Sequence, residues 1–293
     1  MITEIDVSAA EVESGVLAPE SREAAAAALR RDGVVVLNDV VAPAHLAALR
    51  ERMLADLPQI LARRDAPFNF NAGNVQQDPP PFPPYLFRDV LVNDMVAAVT
   101  SRVLGPGVQN SYYSGNTALP GGQQQPAHAD VGQLWPNLVE ATPAFGLVVN
   151  VPVVEMTPEN GSTQLWPSSH LETTIHIGTG TIQVPDEWVG GWEAERAPVQ
   201  PAVRCGSVLI RDIRLWHCGM PNRTTAPRPM IAMIHWIHWW HPDDPIRFPR
   251  GSESFFEHPV LKTNARFVEG EIDYLHHSEA YDYTPEEGAS GGG

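Results

Sequence analysis

Gln125-Pro126-Ala127-His128-Ala129-Asp130 and Trp216-His217-Cys218-Gly219 are the two pieces of sequence on which the fold turns. His128 and Asp130 stand two apart, and in extended chain that spacing puts both side chains on one face. His217 follows an apolar run, Ser207-Val208-Leu209-Ile210, and a turn containing Arg211-Asp212. Arg228 comes eleven residues after His217 (228 − 217) and opens another apolar run, Met230-Ile231-Ala232-Met233-Ile234. Asp130 and His217 are 87 residues apart (217 − 130). A two-sheet jelly roll, in which distant strands face each other, brings such residues together. Two histidines and one carboxylate on one face of a metal leave the opposite positions open, an arrangement suited to non-haem Fe(II) and oxygen chemistry. An arginine at the mouth of a buried strand needs an anion, and its planar fork matches a second carboxylate in the same pocket.

Working outward, the N-terminal third is helical around one strand. Residues 1–17 read as extended or poorly ordered. Pro19 can open a helix that the Ala24–Leu29 run propagates and Gly33 ends. Val34-Val35-Val36-Leu37 is then a buried strand. Pro43 opens a second helix whose Leu46, Leu49, Met53 and Leu57 form one apolar stripe, with Pro58 its end or kink. Residues 67–87, with Asp78-Pro79-Pro80-Pro81-Phe82-Pro83-Pro84-Tyr85, read either as a stiff surface connection or as a lid wall carrying Phe82, Tyr85 or Phe87 to a ligand. Val92, Val96, Val99 and Val103 mark a third helix, stopped by Gly105-Pro106-Gly107. From Val108 the chain is β-rich, with strand candidates at 108–117, 145–154, 163–166, 207–211 and 229–240. The expected class is α+β, mainly β, a jelly roll buttressed by N-terminal helices in a single domain spanning 1–293. Trp135, Trp166, Trp216, Trp236, Trp239 and Trp240 all fall in the β-rich part, most as core and a few as cavity lining. His235 and His238 would face opposite sides of a strand, which argues against a second metal site there. The closing GASGGG segment, with 286–293 around it, reads as a flexible tail.

Bulk properties narrow the partners. The 293 residues, 43% hydrophobic, suffice for one large core. With 35 acidic against 19 basic residues the formal charge is −16, which disfavours a nucleic-acid partner and, more weakly, a coenzyme-A thioester. Two cysteines, Cys205 and Cys218, make no disulfide framework. The start carries Glu4, Asp6, Glu11 and Glu13 rather than a basic segment and an apolar run, and no stretch approaches the ~20 apolar residues of a membrane helix, so the expected setting is cytoplasmic, with no membrane partner. The oligomeric state is not legible.

In order, His128-Ala129-Asp130, His217 and Arg228 resemble the HxD…H…R pattern of Fe(II)/2-oxoglutarate-dependent dioxygenases. The resemblance is to the phytanoyl-CoA dioxygenase family and its natural-product branch. Asp32-Gly33-Val34-Val35-Val36-Leu37, Glu159-Asn160-Gly161-Ser162-Thr163 and Pro167-Ser168-Ser169-His170 fit it too, so the match runs from about Asp32 to His235. A lone HxD is weak; the ordered set is specific. The resemblance implies a double-stranded β-helix, Fe(II) held by His128, Asp130 and His217, and 2-oxoglutarate and O2 as cosubstrates. It implies that Arg228 grips the distal carboxylate of 2-oxoglutarate, with Thr163 and Gln125 at further cosubstrate positions. Family members often carry serine two residues after the last histidine; Gly219 stands here. The related halogenases replace the ligand carboxylate with a small residue, so Asp130 argues against halogenation; the resemblance implies hydroxylation as the default outcome, with desaturation, ring closure or epoxidation as variants. The acidic balance, the aromatic-rich β part and the proline-rich loop point to a small, largely apolar, uncharged or cationic secondary metabolite as substrate. Trp135, Tyr113 and Phe82 are the candidates for contacting it. The competing readings are a non-catalytic cupin-type ligand-binding protein and a cupin-type isomerase or hydrolase with another divalent metal.

Overall fold

A computed structural model describes residues 2–242 and 244–280. In chain order, besides short 3-10 turns, these form β1 (Thr3–Asp6), α1 (Ala9–Ser14), α2 (Pro19–Asp32), β2 (Val34–Asn38), α3 (Pro43–Leu61), β3 (Phe68–Asn69), β4 (Asn71–Gln76), α4 (Arg88–Leu91) and α5 (Asp94–Leu104). The β-rich part follows as β5 (Gln109–Ala118), β6 (Gly146–Pro152), β7 (Gln164–Leu165), α6 (Asp186–Glu195), β8 (Val208–Asp212), β9 (His217–Cys218), β10 (Arg228–Trp236), β11 (Ile246–Pro249), β12 (Lys262–Thr263) and β13 (Ala265–Val268).

The large sheet runs β1-β2-β8-β6-β10-β5-β4-β3, with β12 added to β5. Its central strands are buried on both faces, and the sequence shows why. In β2, Val35 and Leu37 join the helix-side core with Leu46, Leu49 and Met53 of α3 and Val96 and Val99 of α5. Val34 and Val36 of the same strand turn to an inner core with Met156, Leu165, Leu209 and Met230. Period-two alternation thus feeds two apolar layers at once, so the strands read as continuous apolar runs. A second, narrower layer faces the inner side. It is built from the β7–β9 pair, extended by bridges into a row of Val199, Leu165, His217, His128 and Gln183. Two facing layers of this kind are a double-stranded β-helix. Across the inner face of the large sheet, register places Arg211 beside Val148 and Val148 beside Ile234, while Arg228 sits at the start of β10 opposite Ala118.

The helices fall largely where expected: α2 opens at Pro19 and closes at Gly33, whose φ of 76° is the left-handed cap glycine adopts without penalty. Four expectations are corrected. Of the two readings of residues 1–17, the poorly ordered one is corrected: Ala9–Ser14 is the helix α1, Asn38 Nδ2 donates to Glu4 and Asp6 at 3.1 and 3.0 Å, and Thr3–Asp6 is extended as β1, paired in parallel with β2. Its partner is some thirty residues away, which local pattern does not show. Residues 67–87 are not all connection, since β3 and β4 occupy 68–76; the Asn- and Gly-bearing β4 is held by pairing with β5 rather than by propensity. Pro58 lies inside α3, which runs on to Leu61. The last strand stops at Trp236 rather than 240. The helix α6 was unmarked, its Trp-Val-Gly-Gly-Trp sequence being a poor helix former; it is fixed by packing of Trp188, Val189 and Trp192 against Trp166 and Trp216. Residues 286–293 lie outside the described residues. Among those described, no helix is long and apolar enough to cross a membrane.

Candidate metal centre

The two histidines meet through backbone hydrogen bonds. His128 N–H donates to the His217 carbonyl at 2.9 Å and His217 N–H returns the bond at 2.8 Å, so the pair is an antiparallel bridge with both side chains on one face. Their rings lie 4.2 Å apart between centroids. Asp130, two residues beyond His128, is tied by its own N–H to the Ile213 carbonyl at 3.2 Å. The turn that delivers His217 is held by a buried pair: Arg214 Nη2 to Asp212 Oδ2 at 2.8 Å, with Arg214 Nη1 donating to Gln133 Oε1 and the Thr142 carbonyl, both at 2.8 Å. One donor atom each from His128, Asp130 and His217 lies within 4.8 Å of the other two, and this is the one such group among the described residues.

The electrostatics favour a cation at this point. His128 Nδ1 and His217 Nδ1 each lie 2.9 Å from a carbonyl, of Pro126 and Leu215. A carbonyl only accepts, so both Nδ1 atoms carry the proton and both Nε2 lone pairs face the cluster. Burial pushes both imidazoles below their ordinary range, His217 far below, so they stand neutral and ready to ligate. Burial alone would raise the Asp130 carboxyl, but Arg211, His217 and His128 override it and hold it down at about 2. Asp130 Oδ1 lies 3.5 Å from His217 Nε2, while Oδ2 accepts from Arg211 Nη2 at 2.7 Å. Nitrogen and carboxylate donors in a two-histidine, one-carboxylate set fit Fe(II).

Arg228 fits an anion. It is 3% exposed, and burial draws it down to about 10. Nη2 donates to the Gly161 carbonyl at 2.7 Å and Nε to that of Asn160 at 3.5 Å, and among the described residues no carboxylate pairs with it. A buried guanidinium without a counter-charge is costly unless a ligand supplies one. Gly161 is required here: its φ is 80°, and a Cβ would come within 2.5 Å of the Met220 carbonyl. Gln125 is locked against Gly219, its Oε1 accepting from Gly219 N–H at 2.7 Å and its backbone N–H donating to the Gly219 carbonyl at 2.9 Å. A side chain at Gly219 would meet Gln125 Oε1 at 2.6 Å and Asn74 Nδ2 at 2.7 Å. As the chain is packed, these two amide side chains leave no room for a serine at 219.

The family model for phytanoyl-CoA dioxygenase (PhyH) matches residues 29–230, which contain all three donors and Arg228. The chain belongs to the phytanoyl-CoA dioxygenase family. Among similar curated proteins, dioxygenase af480 of Aspergillus fumigatus is 30% identical over 141 residues, 47% of this chain and 40% of that protein. Dioxygenase andF of Emericella variicolor is 26% identical, over 55% of this chain and 54% of its own. The matches thus span roughly half or less of these relatives' own length. The fold is shared with EctD from S. alaskensis crystallised with iron (20% identity, TM-score 0.57, 86% of this chain and 88% of that one). It is shared too with AviO1 from Streptomyces viridochromogenes (23% identity, TM-score 0.56, 77% and 99%).

In this family member the remaining expected residues disperse. Thr163 is half-buried just before β7, next to the Asn160–Gly161 carbonyls that hold Arg228. Tyr113 borders a cavity of about 730 Å³, but its ring packs in the helix-side core against Phe248, because on β5 it alternates away from Tyr112 and Ser114. Phe82 packs against Tyr274 and Tyr85, under Arg52, and does not line that cavity. Trp135 is 56% exposed on the loop after Asp130. The cavity is lined instead by Asp78, Tyr112, Ser114, Val131, Ile234 and Trp236, among others, so it opens beside Val131, the residue after Asp130. Two neighbours of the donors carried no usable sequence signal. Phe70, at φ 65°, lays its ring 4.6 Å from that of His128, a left-handed conformation that a bulky residue adopts only under constraint. Arg211 looks in sequence like an ordinary turn residue.

Proposed function

We propose that the chain is an Fe(II)/2-oxoglutarate-dependent oxygenase that hydroxylates an unactivated C–H bond of a small, secondary-metabolite-like molecule. The balance is substrate, O2 and 2-oxoglutarate giving hydroxylated substrate, succinate and CO2. The observation that carries it is a buried, neutral His128–His217 pair grouped with ionised Asp130, in a chain whose Arg228 is buried at the start of β10 with no carboxylate partner among the described residues. Bound iron would supply the activation of O2 coupled to decarboxylation of 2-oxoglutarate. The protein's own part is positional. His128 and His217 present Nε2 because their Nδ1 protons are committed to carbonyls. On this reading Arg228 offers its guanidinium to the distal carboxylate, Gln125 and Thr163 are further candidates for contacting the cosubstrate, and the apolar inner core excludes water.

The cavity beside Val131 supports a small-molecule substrate, and its Trp236, Trp240, Asp78 and Asp273 favour an uncharged or cationic one. HygX from Streptomyces hygroscopicus, which shares the fold, was crystallised with 2-oxoglutarate and hygromycin B bound. Asp78, Pro79 and Pro81 of the 67–87 segment line the cavity, and that segment and the residues near Trp135 are the ones expected to order over bound substrate. The test is succinate release from 2-oxoglutarate by the Fe(II)-loaded enzyme, uncoupled and with candidate metabolites. Succinate formed in step with a hydroxylated small molecule supports the reading. No succinate under any condition, or efficient hydroxylation of an acyl-CoA alone, contradicts it.

A further inference from the structure

We infer that Arg211 is a positioning residue that keeps Asp130 bound to metal through one oxygen and so keeps a coordination position free. The inference rests on the oxygenase reading above and deepens it. Arg211 is 6% exposed in the middle of the large sheet, on the inner face, beside Val34 and Val148. Its Nη2 donates to Asp130 Oδ2 at 2.7 Å, and its Nη1 is buried with no hydrogen-bond partner among the described residues. A residue serving only the core would be apolar here, or would have both nitrogens satisfied; a half-satisfied buried guanidinium persists where its one bond matters. That bond selects between the two carboxylate oxygens. Oδ1 points to the histidines, 3.5 Å from His217 Nε2, and Oδ2 is taken. A carboxylate free to swing would bind metal through both oxygens and occupy a position on the face that has to accept cosubstrate and O2. By holding Oδ2, Arg211 bars that mode. Outer partners of metal ligands act in this way, through the ligand rather than on the metal.

The experiment uses nitric oxide as a surrogate for O2, read by electron paramagnetic resonance on anaerobic Fe(II)·2-oxoglutarate protein, in wild type, Arg211→Met and Arg211→Lys. Arg211→Met is expected to keep stoichiometric iron and an unchanged KM for 2-oxoglutarate, while its nitric oxide affinity and kcat fall on the order of tenfold or more. Arg211→Lys, which keeps a charged donor, should recover part of both. If Arg211→Met does not fold, Arg211→Gln carries the same titration. A wild-type nitric oxide affinity in iron-loaded Arg211→Met or Arg211→Gln overturns the inference, and so does loss of iron, which would make Arg211 a retention residue. A wild-type protein that binds neither iron nor 2-oxoglutarate would instead sink the oxygenase reading itself, so the two failures are distinct.

Discussion

At the scale of single residues, Arg228 carries the most specific expectation. Its guanidinium is buried against two carbonyls with no carboxylate partner among the described residues, so on the proposed reading Arg228→Ala removes the cation offered to the cosubstrate's distal carboxylate. Charge-assisted hydrogen bonds are worth about 1.5–3 kcal/mol, so Arg228→Ala should raise the KM for 2-oxoglutarate roughly tenfold to a hundredfold. Arg228→Lys, with charge but no fork, should fall between. Iron content should stay at the wild-type level in both, since Arg228 is no ligand; a 2-oxoglutarate titration with an unchanged constant in folded Arg228→Ala would place the cosubstrate elsewhere. His128, Asp130, His217 and Arg228 were legible because their chemistry is carried by residue type and spacing. Arg211, Asn74 and Phe70 were not, because each acts through register: Arg211 reaches Asp130 across 81 residues of chain, and Phe70 meets His128 from the β3–β4 turn.

At the scale of elements, the long apolar strands and the proline- and glycine-bounded helices were readable, since each is set by local periodicity and capping. The edge strand β1, the polar β4 and the helix α6 were not, since each exists through a partner distant in sequence. The contact between α5 and β10 shows what such pairing stores. His235 of β10 is 1% exposed, with Nδ1 3.0 Å from Thr100 Oγ1 of α5 and Nε2 unpaired. Burial, reinforced by His258, pushes it down to about 3. The unfolded chain therefore binds a proton near pH 6.5 that the folded chain refuses until far lower. Stability from this residue is complete above about pH 6.5 and is lost as pH falls toward 3, by about 2 kcal/mol at pH 5. His235→Leu should shrink the drop in unfolding free energy between pH 7 and pH 5 by about that amount in chemical denaturation. An identical pH dependence in variant and wild type would show that His235 does not titrate in this way.

At the scale of the molecule, one large sheet does two jobs. Its outer face is sealed by α2, α3 and α5, and its inner face supplies Arg211, Arg228 and part of the cavity wall, against a narrow second layer that carries the three candidate metal donors. The jelly roll was inferred from the need to join Asp130 to His217, and the row Leu165–His217–His128 is the means by which the chain does so. The cavity beside Val131 was the least legible part. Its walls come from the segments 76–81 and 111–114, from Val131, and from the segments 234–242, 244–247 and 272–279, which no local pattern links. The central claim is that His128, Asp130 and His217 hold the iron to which 2-oxoglutarate binds. The most direct measurement is an anaerobic titration of Fe(II)-loaded protein with 2-oxoglutarate, followed by its visible spectrum, in wild type and His217→Ala. Wild type should retain stoichiometric iron and develop a weak visible charge-transfer band, and folded His217→Ala should show neither. Stoichiometric iron and the same band in His217→Ala would contradict the account.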